Sequence, residues 1–362
     1  MRCLTQKGTG GRSTDPRKQR ETEDLPVRCA LAAGLAAAAI AHAPAHAARP
    51  VQPPLMELTR NYSFVLVAEA ESRKGENRIT FRRVEKLFAD GEPMVTVRMD
   101  DDTRADVELG ENYIVAYTTV TNDAQFRDHK YLDPEGPKLL DVRGFGAPAL
   151  FEATPALRFL FQTARAAEPP ADRAVLDALL AQMARPDHRS RSLVIMEFYL
   201  RPALQAMISE ADEKIVRDTI ADSGLHTELK SFLLEAALKF PTPGKATWLA
   251  AAYRDVIASS GAQYDLTTHV PGLVATAVKG LRIVGERADA QRLTPLLLSN
   301  APGVATAALK TMDALDPEGT PEVVQQVLEQ SVWDDSVNSE VRRVLESYDF
   351  EHTVAGAAAD PG

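Results

Sequence analysis

The chain has 362 residues, 45% of them hydrophobic and 25% charged, enough to bury ordinary cores and too apolar for a disordered polymer. Its net charge of −10 becomes about −13 beyond residue 47, because residues 1–47 carry seven of the 41 basic and four of the 51 acidic side chains. That balance excludes a generally basic surface, and so argues against a nucleic-acid partner, while leaving a local basic patch open.

Residues 1–26 are polar and without period, and are expected to be a disordered leader, with translation starting near Leu25 or Val27. Residues 27–47 read as a secretory signal peptide. Their uncharged run Cys29–Ala41 has 13 residues. As a helix it would reach about 20 Å, short of a bilayer core of about 30 Å. Arg28 supplies the positive flank, and Ala45-His46-Ala47 the small-x-small pattern for a cut between Ala47 and Ala48. A similar triplet at Ala41-His42-Ala43 leaves the cut open by a few residues, and an alanine-rich tail on a cytoplasmic protein is the alternative. The expected location is periplasmic or secreted, with no integral span after signal removal.

Cleavage would remove Cys3 and Cys29, the two cysteines of the chain, and with them disulfides, thiolate catalysis and cysteine-ligated zinc. The remaining histidines, His129, His188, His226, His269 and His352, stand singly in sequence, so neither metal nor cofactor is expected.

After a linker over 48–60, residues 61–145 read as a β-rich domain. The runs 63–70, 79–88, 94–99 and 112–120 are β-branched or aromatic, and Gly-, Asn-, Asp- and Pro-containing turns separate them. Such spacing predicts a small antiparallel barrel or sandwich. The tract FVLVAEAES, the turn FRRVEKLFADGE and Leu109-Gly110-x-x-Tyr113-Ile114-Val115 together resemble the OB-fold barrel of netrin-like and metalloproteinase-inhibitor-like domains, over about residues 60–120. The resemblance implies a fold. The amino-terminal cysteines of those families are absent, which counts against their inhibitory role.

From residue 154 to 350 the hydrophobic period is helical, with stripes such as Val175, Leu176, Leu179, Leu180 and Met183. PGLVATAVKGLRIVG at 271 and PGVATAALKTMDALD at 302 repeat at an offset of 31, and PGKATWLAAAYRDVI at 243 is a fainter copy. The offset places Val274, Val278, Leu281 and Val284 on Ala305, Leu309, Met312 and Leu315, and Leu293, Leu296 and Leu297 on Val324, Val327 and Leu328. Helix pairs with narrow apolar faces must stack on neighbours, and this pattern resembles short HEAT-like repeats, clearly over 243–331. A plain antiparallel helical bundle is the alternative. Pro295 conflicts with a regular second helix, which should start late or kink. Residues 351–362 are expected to be a disordered tail.

Three motifs are discounted. Gly144-x-Gly146-x-x-Ala149 lacks the βαβ context of a dinucleotide site and reads as an interdomain turn. Asp100 to Glu111 has Ala105 where a calcium loop needs glycine, and reads as a solvated acidic β-turn. Leu132-Asp133-Pro134-Glu135-Gly136 and its copy at 315–319 read as turns. Lys279 and Lys310 match between repeats and read as solvent-facing, and Phe198, Trp248 and Tyr253 as packing.

The expected molecule is an α+β multidomain protein, a small OB-like antiparallel β-barrel followed by an α-helical HEAT-like array. Its expected role is a non-enzymatic binding or scaffold protein of the bacterial cell envelope, with another protein as partner. The alternatives are an envelope enzyme with a site between the two parts, or a protease-inhibitor-like module.

Overall fold

The computed structural model describes residues 52–59, 63–75, 77–119, 137–142, 147–164, 166, 170–330 and 336–348, all within the unit Val51–Gly362. The leader, the signal segment with Ala47 and Ala48, the first Leu-Asp-Pro-Glu-Gly turn, Gly144–Gly146 and the tail lie outside the described residues.

The protein is mixed α+β. Four strands coincide with the alternating runs: β1 Ser63–Lys74, β2 Arg78–Phe88, β3 Met94–Arg98 and β4 Asn112–Thr118. Four short ones follow: β5 Lys138–Leu139, β6 Asp141–Val142, β7 Ala147–Pro148 and β8 Leu150–Glu152. The antiparallel sheet runs β3-β2-β1-β4-β5, β8 also pairs with β4, and β6 pairs with β7. The sheet therefore continues past residue 145, the expected end of the β-rich part, and the last residues of the Gly-x-Gly-x-x-Ala segment contribute to β7. Strands of two or three residues carry no readable period, so sequence alone passes over them.

Around β1 and β4 both faces of the sheet are buried, whereas the outer face of β2 and β3 is exposed at Arg82, Val84 and Met94. The pairing of Leu66 with Val115 and of Ala68 with Tyr113 sets these side chains on one face with Ile79, Phe81, Val95 and Val97, in a core of their own. Val65, Val67, Ile114, Ala116 and Phe151 face the other way, into the core shared with the helices. Three register shifts between β1 and β2 mark irregularities that increase local twist. β3 lies against β5, yet among the described residues no ladder joins them.

Two expectations change here. Asp100 to Asp106 is no β-turn: the Asp100 carboxylate accepts from the Thr103 N–H at 2.7 Å and caps a short helix, α2, Asp101–Ala105. Asp is a preferred N-cap, and two further acids in the first turn suit the helix's exposed N–H groups. Within the expected linker, Pro54–Leu58 forms helix α1, with Leu55 and Leu58 buried in the helical core.

The helical part begins where the period changes, with α3 Pro155–Thr163 capped by Thr154. There follow α4 Arg173–Met183, α5 His188–Tyr199, α6 Pro202–Gln205, α7 Glu210–Ala221, α8 Thr227–Ala237, α9 Lys245–Ser260, α10 Val270–Val284 and α11 Arg287–Leu293. After a 3-10 turn at Thr294–Leu298 come α12 Pro302–Leu315, α13 Thr320–Gln330 and α14 Ser336–Glu346. Asp172, Asp187 and Ser209 cap α4, α5 and α7 by accepting from first-turn N–H groups. Positions matched by the offset of 31 share their burial: Val274 with Ala305, Leu281 with Met312 and Leu293 with Val324 are all buried. The packing is close enough at one point to require glycine, since a Cβ on Gly280 of α10 would sit 2.2 Å from the ring of Tyr253 in α9.

Arginine–aspartate clamps tie distant helices together. Asp212, in the first turn of α7, accepts from the Ser209 backbone and from both terminal nitrogens of Arg173 of α4 at 2.6 and 2.7 Å. The Arg173 bonds hold its carboxyl down to about 2. Asp289 of α11 repeats the arrangement with the Glu286 N–H and with Arg254 of α9 at 2.7 and 2.8 Å, and the Arg254 bond likewise lowers its pKa.

Candidate functional site

Pro295 marks the place where the helical pattern fails. Expected to start late or kink, the second helix instead runs from Arg287 and gives way at Thr294 to a 3-10 turn, with Pro295 in its first positions. Proline has no N–H to donate and its ring crowds the preceding turn, so the α-helix cannot pass through it unbroken. The equivalent position one repeat later is Gln326, inside the unbroken α13.

A cavity of about 270 Å³ opens at this break. Its walls are Ile257 and Ala258 of α9, Gly261 and Ala262 of the following loop, Leu281 of α10, and Pro295 and Leu296. Arg254 and Arg292 complete the lining. Arg254 is committed to its clamp on Asp289, whereas Arg292 is largely exposed and stands 3.6 Å from the same carboxylate. Two exposed leucines lie close by in the chain, Leu266 in the α9–α10 loop and Leu298 at the end of the 3-10 turn. The loop is pinned to that turn, because Gln263 donates to the Leu298 carbonyl at 3.0 Å and Tyr264 exchanges two hydrogen bonds with Asn300. An apolar hollow with a cationic rim suits an apolar group that carries or adjoins a negative charge.

A second unusual group is Glu197 of α5, whose side chain is fully buried. Its carboxyl is pushed up to about 7 by burial, against the opposing effects of the Leu55 N–H at 3.1 Å and Arg201 at 3.4 Å. Arg201 also donates to the Pro170 carbonyl. The carboxyl receives the start of α1, so it holds the segment just before the sheet against the helices; both its oxygens point to protein groups.

The remaining sequence candidates divide as follows. Lys279 and Lys310 are exposed at matching places on α10 and α12. Tyr253 is buried with its hydroxyl on the Leu234 carbonyl, Phe198 packs edge-on to Phe240, and the Trp248 ring lies under the Arg217 guanidinium. His226 and His269, far apart in sequence, meet edge to face at 5.2 Å, with Glu228 at 3.9 Å from His269. Among the described residues, however, no three metal-ligating side chains come together. β1 lies between β2 and β4 in the sheet. Among the described residues no helix is long and apolar enough to cross a membrane.

The cavity has a signal in the sequence, the misplaced Pro295. The Glu197 contact has none, since its partner is a backbone N–H far along the chain. Compared with models of known protein families, with curated proteins and with solved structures, the chain matches none.

Proposed function

We propose that this is an exported binding or scaffold protein of the bacterial cell envelope, periplasmic or secreted, whose helical part recognises another protein. The observation that carries the reading is the cavity at Pro295, lined by apolar side chains and rimmed by Arg292. It departs from the repeat at one place and sets there an exposed guanidinium, that of Arg292, which also pairs with Asp289 at 3.6 Å. Local departures from an otherwise consistent pattern are where function is expected. Export rests on the run before Ala48 and on its small-x-small triplet.

The finer fold reading belongs to the same proposal. An OB-like barrel is supported by the separate inner core and by the approach of β3 to β5. A HEAT-like array is supported by the matched burial of the two copies and by the packing of α10 on both α9 and α12.

The test is affinity capture from envelope extract with the chain beginning at Ala48, beside an Ala258→Trp variant that fills the cavity. One stoichiometric partner, retained by the native chain and lost by the variant, is the expected result. A blank, or a partner held equally by both, would sink the reading.

A further inference from the structure

Where α8 and α10 begin, the helical part carries two exposed imidazoles, those of His226 and His269. Packing brings them together: α10 lies on α8, and Leu229 and Leu273, one turn farther along each helix, are buried in the common core. The ring centres are 5.2 Å apart and the planes cross at 66°. The Glu228 carboxylate, in the first turn of α8, stands 3.9 Å from the His269 Nε2. The approach to His269 is held as well. Asp265 accepts from the Thr267 N–H at 2.9 Å and from its hydroxyl at 2.7 Å, and the Thr268 hydroxyl donates to the Asp265 carbonyl at 2.8 Å.

His226 uses one ring nitrogen, accepting from the Glu228 N–H through Nδ1 at 3.4 Å, and among the described residues its Nε2 has no hydrogen-bond partner. The His269 side chain caps nothing. Two accessible imidazoles beside a carboxylate are donors of the kind that zinc, copper and nickel prefer. The spacing agrees with that chemistry. With each nitrogen about 2.0–2.1 Å from the metal and each ring centre about 1.1 Å beyond, two imidazoles on one tetrahedral ion have centres about 5 Å apart. Among the described residues no three ligands stand converged, so the pair supplies two positions, Glu228 reaches a third by turning its side chain, and water fills the rest.

We propose that His226 and His269 bind one divalent late transition-metal ion, Zn2+ or Cu2+, through their Nε2 atoms, with Glu228 as the third ligand. Ligation through Nε2 leaves the His226 proton on Nδ1, so the long bond from the Glu228 N–H is given up and the ion becomes the tie at the start of α8. The Glu228 charge offsets the positive ends of the two helix dipoles, which by themselves oppose a cation there. An ion so held joins α8 to α10, and its site shares no residue with the Pro295 cavity.

The test uses the chain beginning at Ala48, which leaves out Cys3 and Cys29 and so keeps thiolates from competing for the metal. Beside it stand His226→Asn, His269→Asn and the double variant, because asparagine is a preferred N-cap and keeps an acceptor at each helix start. Circular dichroism checks folding. Zn2+ is titrated by calorimetry, and Cu2+ is read by electron paramagnetic resonance, whose nitrogen hyperfine pattern counts the imidazoles. The expected result is one ion per native chain with a two-nitrogen pattern. Loss of an outer-shell partner alone weakens a metal about 10–100-fold, so each single variant should weaken binding at least that far and the double variant abolish it. Glu228→Gln should weaken binding and keep the two-nitrogen pattern. Zn2+ should raise the Tm of the native chain and leave that of the double variant unmoved. Absence of saturable binding, or a two-nitrogen pattern that persists in either single histidine variant, would overturn the proposal.

Discussion

The sheet and the helical part hold distant segments together by different means. In the sheet the backbone itself does so, since every ladder bond joins residues of separate strands; β1 alone is tied to both β2 and β4. A helix satisfies its backbone internally and offers its neighbours only side chains. The helical part accordingly adds charged clamps to its apolar packing, Arg173 on Asp212 and Arg254 on Asp289, each closing on a residue that already caps its own helix. The two means meet at one core, because Val65, Val67 and Phe151 of the sheet lie in the same cluster as the helices.

The largest expected effect tests that meeting. Phe151 of β8 packs on Phe161 of α3 with centroids 6.1 Å apart. Phe151→Ala should cost about 3–5 kcal/mol, the usual range for a buried phenylalanine. If sheet and helices share one core, near- and far-ultraviolet dichroism will report a single transition at lower denaturant. Two separated transitions would break the comparison by showing two independent units.

Glu197 provides the next test, through pH. Its pKa is about 7 in the folded chain against an ordinary 4.5. Between those values the native state holds a proton that the unfolded chain has released, so stability falls as pH rises through the interval and levels off above it. The native chain should lose on the order of 3 kcal/mol between pH 4.5 and pH 8 from this group. Urea midpoints for the native chain and Glu197→Gln across that range measure the difference. Equal slopes for the two proteins would remove Glu197 from the account of how α1 is held.

Helix packing is sharpened by a pair of glycines. Gly280→Ala puts a methyl into the ring of Tyr253, whose hydroxyl is fixed on the Leu234 carbonyl, and should cost about 1–3 kcal/mol by overpacking. Gly303→Ala, with nothing within 4 Å, should instead gain up to about 1 kcal/mol from helix propensity. Opposite signs in thermal melts are the expected outcome; gains at both positions would mean that α9 and α10 are less closely packed than described.

The smallest effect belongs to a clamp. Asp289→Ala removes a cap and two charged hydrogen bonds, yet Arg254 is partly exposed and can be rehydrated, so about 1–2 kcal/mol is expected. A double-mutant cycle with Arg254→Ala measures the coupling directly, and zero coupling would leave the helical part held by apolar packing alone.

Much of this architecture is legible in the residues. Alternation in Ile79, Phe81, Val95 and Val97 marks strands, and the stripe of Val175, Leu176, Leu179, Leu180 and Met183 marks α4 to within two residues. Pro295 marks a break, though not that the helix runs up to it and tightens. The acids Asp100 to Asp102 mislead, because a capped helical turn and an exposed β-turn draw on the same residue types.

What the sequence by itself determined is local: the period of each segment, the caps and turns that bound it, and the repeat at an offset of 31. These follow from neighbouring residues, whose spacing chooses a helix or a strand before any long-range contact forms. Only the tertiary structure decided which segments meet. It brought the Leu55 N–H to Glu197, set His226 against His269, and opened the cavity beside Pro295. Each of these depends on the register or packing of segments that no local period encodes, because register is set by which faces are buried together.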